Sequence, residues 1–143
     1  ISSVLGFVAM PSRGAYVASK FAIEGLVGTL RLELRDTNIK LSSIQPGPIE
    51  SKFRENAYLA FKQNIDISNS HYQTQYKIMI KRLKSGQNVK FTLPPEAVLK
   101  CAIHALESSN PKNYYRVTFP TKLFSLLGKI LPSKWMDNIL NQS

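Results

Sequence analysis

Three side chains near the start of the chain are spaced for proton chemistry. Tyr16 and Lys20 stand four residues apart in Gly14-Ala15-Tyr16-Val17-Ala18-Ser19-Lys20, so a helix stacks them on one face. An ammonium beside a phenol favours the phenolate, and a phenol so placed gives or takes a proton near neutral pH. Ser3, thirteen residues before Tyr16, precedes the loop into that helix and offers a hydroxyl to the oxygen that the phenol protonates. A Tyr-x-x-x-Lys pair alone occurs by chance on many helices. The signal is the ordered set: Ser2-Ser3, Pro11, Tyr16-x-Ala18-Ser19-Lys20, then Pro46-Gly47-Pro48.

The elements that must position these groups read as alternating strands and helices. Residues 1–4 read as a strand end, and Leu5 to Arg13 as a loop containing Gly6 and Pro11. Gly14 to Asp36 carries the strongest helix pattern, with Ala15, Ala18, Ala22, Leu26, Leu30 and Leu34 recurring in three- and four-residue steps and Ser12 placed to cap it. Ile39 to Gln45 alternates in the manner of a half-buried strand. Strand, helix and strand together predict a right-handed crossover and a parallel sheet. Pro46-Gly47-Pro48 then breaks the second strand at its C-terminal end, where open α/β sheets bind ligands.

Residues 52–90 are polar, basic and aromatic, with Phe53, Tyr58, Phe61, Tyr72 and Tyr76, and helices are predicted over Leu59–Ile65 and Tyr72–Leu83. Pro94-Pro95-Glu96 opens a helix whose apolar face is Val98, Leu99, Ala102, Ile103 and Leu106. Tyr114 to Phe119 reads as a last strand, and Lys122–Leu131 and Lys134–Leu140 as two short amphipathic helices split by Pro132. Neither repeats nor low-complexity runs appear, and the chain reads as one structural unit.

The 143 residues, 43% of them hydrophobic, suffice for one domain with a real core. Net charge is +10, and residues 52–134 hold fourteen Lys/Arg against four Asp/Glu. That excess suits an anionic partner, whether a phosphate-bearing cofactor, a membrane surface or nucleic acid, or else a plain solvated basic surface. No aromatic-interleaved basic repeat argues for nucleic acid. Cys101 is the single cysteine, so no internal disulfide forms. His71 and His104 stand apart from any ligand cluster, which predicts no metal site. The chain shows neither a spanning apolar run nor a signal peptide, and a cytoplasmic protein is expected, with room for peripheral membrane contact.

The ordered set resembles the active-site segment of the short-chain dehydrogenase/reductase family, and the likeness runs from Ile1 to about Leu140. The tail is similar to that of retinol and 17β-hydroxysteroid dehydrogenase-like members. The resemblance implies an α/β, Rossmann-type doubly wound parallel sheet. Neither G-x-G-x-x-G nor G-x-x-x-G-x-G occurs in the sequence, so the chain is expected to be the C-terminal half of one such domain, with residues 52–90 as a substrate lid and 121–143 as C-terminal helices. It implies hydride transfer between NAD or NADP and an apolar alcohol or ketone, steroid- or retinoid-like. Ser3, Tyr16 and Lys20 would be catalytic. Tyr16, Lys20, Pro46, Gly47, Ile49 and Ser51 would meet the cofactor, Gly47 admitting the flat nicotinamide because it has no side chain. A homodimer or homotetramer is implied, through the helix bearing Tyr16, where Ala22, Gly25 and Gly28 permit close approach. This half alone is expected to be inactive. Two other readings stand beside it: a non-catalytic chain of the same fold acting as a binding or interaction module, and a basic protein that binds anionic surfaces.

Overall fold

The structure is a computed structural model and describes residues 1–84 and 90–141. In chain order these form α1 (Gly14–Glu33), β1 (Ser43–Gln45), α2 (Phe53–Asn64), α3 (Gln73–Lys84), α4 (Glu96–Glu107), β2 (Tyr114–Arg116), α5 (Phe119–Ile130) and α6 (Ser133–Asn141). They divide into two compact units, one of residues 1–49 and 91–143 and one of residues 50–90.

The first unit is built on a parallel sheet. β1 and β2 run side by side in the register Ser43 to Tyr114, Ile44 to Tyr115 and Gln45 to Arg116. Residues 2–4 run in the same direction along the other edge of β1, Ser2 N–H donating to Ile44 O and Val4 N–H to Pro46 O, each at 2.8 Å. A full ladder also needs a bond from position 46 back to the Ser2 carbonyl, and Pro46 has no N–H to give. The pairing therefore stops, and Val4–Gly6 turns into a single 3₁₀ helix where the sequence predicts a strand end. The predicted strand over Ile39–Gln45 is likewise confined to Ser43–Gln45. Its neighbour β2 begins only at Tyr114, after Pro111, and among the described residues no strand lies beside residues 39–42. β2 ends at Arg116 because Pro120, with its fixed φ, already sits in the first turn of α5.

The apolar repeat of α1 divides between two environments: Tyr16, Val17, Lys20, Ile23, Glu24, Val27, Gly28, Leu30, Arg31 and Leu34 are half-buried, whereas Ala15, Ala18, Ala22 and Leu26 are exposed. The helix is apolar on two sides, and a periodicity count cannot tell which side meets the sheet. Ser12 does not cap it. Its backbone is left-handed at φ 60°, and Arg13 takes the cap position, its side chain bonding Met10 Sδ rather than the helix N-terminus. The core proper is Leu5, Val8, Ile44, Tyr115 and Leu140, together with the buried polar residues Ser43, Gln45, Thr118 and Thr121. On α4 the inward side is Val98, Cys101, Ala102 and Ala105, while Leu99, Ile103 and Leu106 of the predicted apolar face are exposed.

The second unit pairs α2 with α3. Phe61 meets Tyr76 edge-on with ring centroids 5.4 Å apart, and Lys84 Nζ lies 5.1 Å from the centre of the Tyr58 ring. Both helices extend further than predicted at one end. Residues 85–89, within the stretch expected to form a lid, and residues 142–143 of the expected C-terminal helices lie outside the described residues.

Candidate active site

The sheet presents its C-terminal ends through three short segments: Ser3 and the 3₁₀ turn, the Pro46-Gly47-Pro48 turn after β1, and Thr118 after β2. Ser3 is fully extended (φ −163°, ψ 164°) and half-buried, and its Oγ accepts the Leu5 N–H at 3.1 Å. Accepting that bond leaves the hydroxyl proton of Ser3 to donate elsewhere. The Val4 bond to Pro46 O sets the Ser3 backbone directly beside the Pro-Gly-Pro turn.

Tyr16 and Lys20 meet on the first turns of α1, as their spacing predicts. The Lys20 ammonium lies 5.5 Å from the centre of the Tyr16 ring, within cation–π range, and both side chains are half-buried. Ser19 Oγ donates to Tyr16 O at 2.7 Å and secures that turn. Arg31 Nη2 donates to Tyr114 Oη at 2.6 Å and ties the far end of α1 to β2, and two further contacts set the helix against the sheet and its turn nearer the site. Ser43 Oγ, on β1, donates to Glu24 Oε1 at 2.7 Å. Gly6 fits against α1 because it lacks a side chain: a Cβ there would stand 2.7 Å from Ser2 Oγ, 2.8 Å from Glu24 Cγ and 3.2 Å from Lys20 O. A side chain at position 6 would push away the turn that follows Ser3 or the helix turn that carries Lys20.

The Pro-Gly-Pro turn is pinned on both sides. Leu93 N–H donates to Pro48 O at 3.1 Å, and Ile49 forms a parallel bridge with Leu93. Behind Gly47 stand Thr118 and Thr121, both fully buried, with their Oγ1 atoms 2.9 Å apart. A Cβ on Gly47 would collide with Thr118 Oγ1 and lie 2.7 Å from Thr121 Oγ1. Glycine is therefore required here by the protein's own packing, a reason the sequence reading did not contain. Thr118, Thr121 and Glu24 are the positioning residues it missed. The Thr-x-x-Thr spacing places both hydroxyls on one side of a helix start, but nothing in it points to Gly47. Ser51 belongs to the second unit, where its exposed Oγ accepts the Phe53 N–H at 3.4 Å.

A cavity of about 310 Å³ opens beside the segment between Ser3 and Tyr16. Phe7, Val8, Ala9, Leu131, Met136 and Leu140 give it apolar walls, and Ser133 and Asp137 add polar groups. Among the described residues no group of three or more His, Cys, Asp or Glu is placed to hold a metal ion. No described helix is long and apolar enough to cross a membrane.

Comparison with known proteins bears on this geometry. Residues 1–60 match the family model described as short chain dehydrogenase. The oxidoreductase YbbO of Escherichia coli K12, itself uncharacterized, is 40% identical over 139 residues, covering 97% of this chain and 46% of YbbO. An NADPH-dependent 3-dehydrocapnine reductase of Ornithobacterium rhinotracheale is 29% identical, covering 97% of this chain and 47% of the reductase. The type 6 17-beta-hydroxysteroid dehydrogenase of Rattus norvegicus is 28% identical, covering 98% and 46%. The chain thus spans about half the length of the curated relatives it matches.

Proposed function

This chain belongs to the short-chain dehydrogenase/reductase family, and from that premise we propose that the whole protein is an NAD(P)-dependent oxidoreductase interconverting an alcohol and a ketone. The observation that carries the proposal is the Lys20 ammonium 5.5 Å from the Tyr16 ring on the helix that follows Ser3. The nicotinamide, when bound, supplies or accepts the hydride. The residues present suit it: the Pro46–Pro48 turn would offer its backbone, the Cβ position of Gly47 being taken by Thr118 and Thr121 rather than open to the ring, and Lys20 would offer an ammonium to ribose hydroxyls.

In the reducing direction, the Tyr16 hydroxyl gives its proton to the substrate oxygen as the carbonyl carbon becomes the carbinol carbon. In the oxidising direction, the Tyr16 phenolate takes the proton back from the alcohol. Lys20 sets its positive charge beside the Tyr16 ring. Ser3, whose oxygen is already occupied by the Leu5 N–H, donates its proton to the substrate oxygen and stabilises the charge that develops there. Pro46, Gly47, Ile49 and Ser51 are the residues that would hold the nicotinamide. The apolar walls of the 310 Å³ cavity support an apolar alcohol or ketone as substrate. NADPH is the cofactor to try first, since the dehydrocapnine reductase depends on it.

The test is Tyr16→Phe in the whole protein. Turnover should fall by about two to four orders of magnitude, the usual range for losing a general acid or base, while cofactor binding persists. A Tyr16→Phe enzyme as active as the parent would remove Tyr16 from the mechanism.

A further inference from the structure

The edge of the sheet carries a surface that the chemistry at Tyr16 does not use. β2 bonds to β1 through Asn113 O, which accepts from Ser43 N–H at 2.9 Å, and through Val117 N–H, which donates to Gln45 O at 3.3 Å. Alternation along a strand then turns the N–H and C=O groups of Tyr114 and Arg116 away from β1. Among the described residues, β2 pairs on that one side only.

The outer edge borders a groove of about 770 Å³ flanked by α4 and α5. Lys100 lines it from α4, Lys122 and Lys129 from α5, and Lys112 and Arg116 from the strand and its approach; among the described residues no carboxylate lines it. All four lysines are exposed. The Arg116 guanidinium lies 5.6 Å from the centre of the Tyr114 ring, and its Nε is buried without a hydrogen-bond partner. Five like charges therefore converge on an open row of alternating donors and acceptors.

Lysines beside an open edge discourage pairing with a second copy of the chain, because a two-fold contact would set these cations against their own copies. The same charges favour an acidic strand. A phosphodiester backbone offers acceptors alone and leaves the outward carbonyls of Tyr114 and Arg116 unmatched, and a lipid surface is flat where this site is a groove. An extended peptide supplies both donors and acceptors at the spacing that a strand presents.

We propose that the outer edge of β2 is a docking site for an extended acidic segment of a partner protein, which adds to the sheet as a strand with its carboxylates between the α4 and α5 lysines. This does not depend on the oxidoreductase reading.

The experiment is fluorescence anisotropy on the whole protein. Its probe is a labelled heptapeptide of alternating glutamate and valine, run beside the same peptide with alternate amides N-methylated. The plain peptide should bind, and each of three changes should weaken it at least tenfold: N-methylation, Lys122→Glu with Lys129→Glu, and a rise in salt from 50 mM to 500 mM. The milder pair Lys122→Gln and Lys129→Gln should weaken it by a smaller factor. It also serves as the reference if charge reversal impairs folding. Inorganic polyphosphate should compete poorly. The inference is overturned if the plain peptide does not bind, if the N-methylated peptide binds equally well, if neither lysine pair changes the affinity, or if polyphosphate displaces the peptide at equal charge.

Discussion

Gly47 shows how a single missing atom organises the proposed site. Its Cβ position is taken by the hydroxyls of Thr118 and Thr121, so the Pro-Gly-Pro turn closes onto the start of α5 with no gap. Gly47→Ala in the whole protein should cost about 1–3 kcal/mol through overpacking, read as a lower urea midpoint at unchanged slope. An unshifted midpoint would mean that the two threonines give way freely and do not hold the turn. The proposed catalytic set can be read in the sequence because its spacing is local: Tyr16 and Lys20 share a helix turn, and Ser3 sits one short loop before them. The Thr118–Gly47 contact was not legible, because it joins residues on neighbouring strands whose register only the folded sheet sets.

At the scale of elements, α1 is fixed by its inward polar groups as much as by its apolar ones. The Ser43–Glu24 bond joins it to the buried face of β1, where Ser43 is 3% exposed. Ser43→Ala should destabilise the protein by about 1–2 kcal/mol, since a bond to a carboxylate is lost at a buried donor. A thermal midpoint equal to that of the parent would show that α1 is held without it. The sequence located this helix but left its sheet side open, because both sides are apolar. The end of β1 at Pro46 was legible, but the ends of residues 2–4 and of β2 were hidden: there Pro46 and Pro120 act on a neighbour's hydrogen bonds and on the following helix, which a local pattern does not record.

In the second unit, Ser68 donates both its Oγ, at 2.5 Å, and its N–H, at 2.9 Å, to Asp66 Oδ1, and these bonds hold the carboxyl below its ordinary value of 3.8. A depressed carboxyl contributes stability above the unfolded-state value and loses it as pH falls through the folded-state value. Carboxyl NMR titration should therefore place the Asp66 midpoint below 3.8, and Ser68→Ala should raise it. A midpoint untouched by Ser68→Ala would contradict this.

At the scale of the molecule, the first unit leaves Leu26 59%, Leu32 75%, Leu106 85% and Ile130 67% exposed. On α1 a Cβ at Gly25 or Gly28 would meet nothing within 4 Å, and Ala22 and Leu26 are exposed beside them. We propose that this side of α1 is the contact between subunits of a dimer or tetramer. The whole protein should sediment as an oligomer at micromolar concentration, and Leu26→Glu should dissociate it. A monomeric parent would leave that side of α1 without the proposed partner. The family was legible at this scale because its motif lies within residues 1–60, where the family match also falls. The measurement that bears most directly on the central claim follows the hydride. NADPH carrying deuterium at the nicotinamide C4 would be incubated with the whole protein and a panel of apolar ketones, and the products read by mass spectrometry. One deuterium should appear on the carbinol carbon with the parent enzyme and none above background with Tyr16→Phe. NADPH consumption without label on that carbon, or equal labelling by both proteins, would contradict the account.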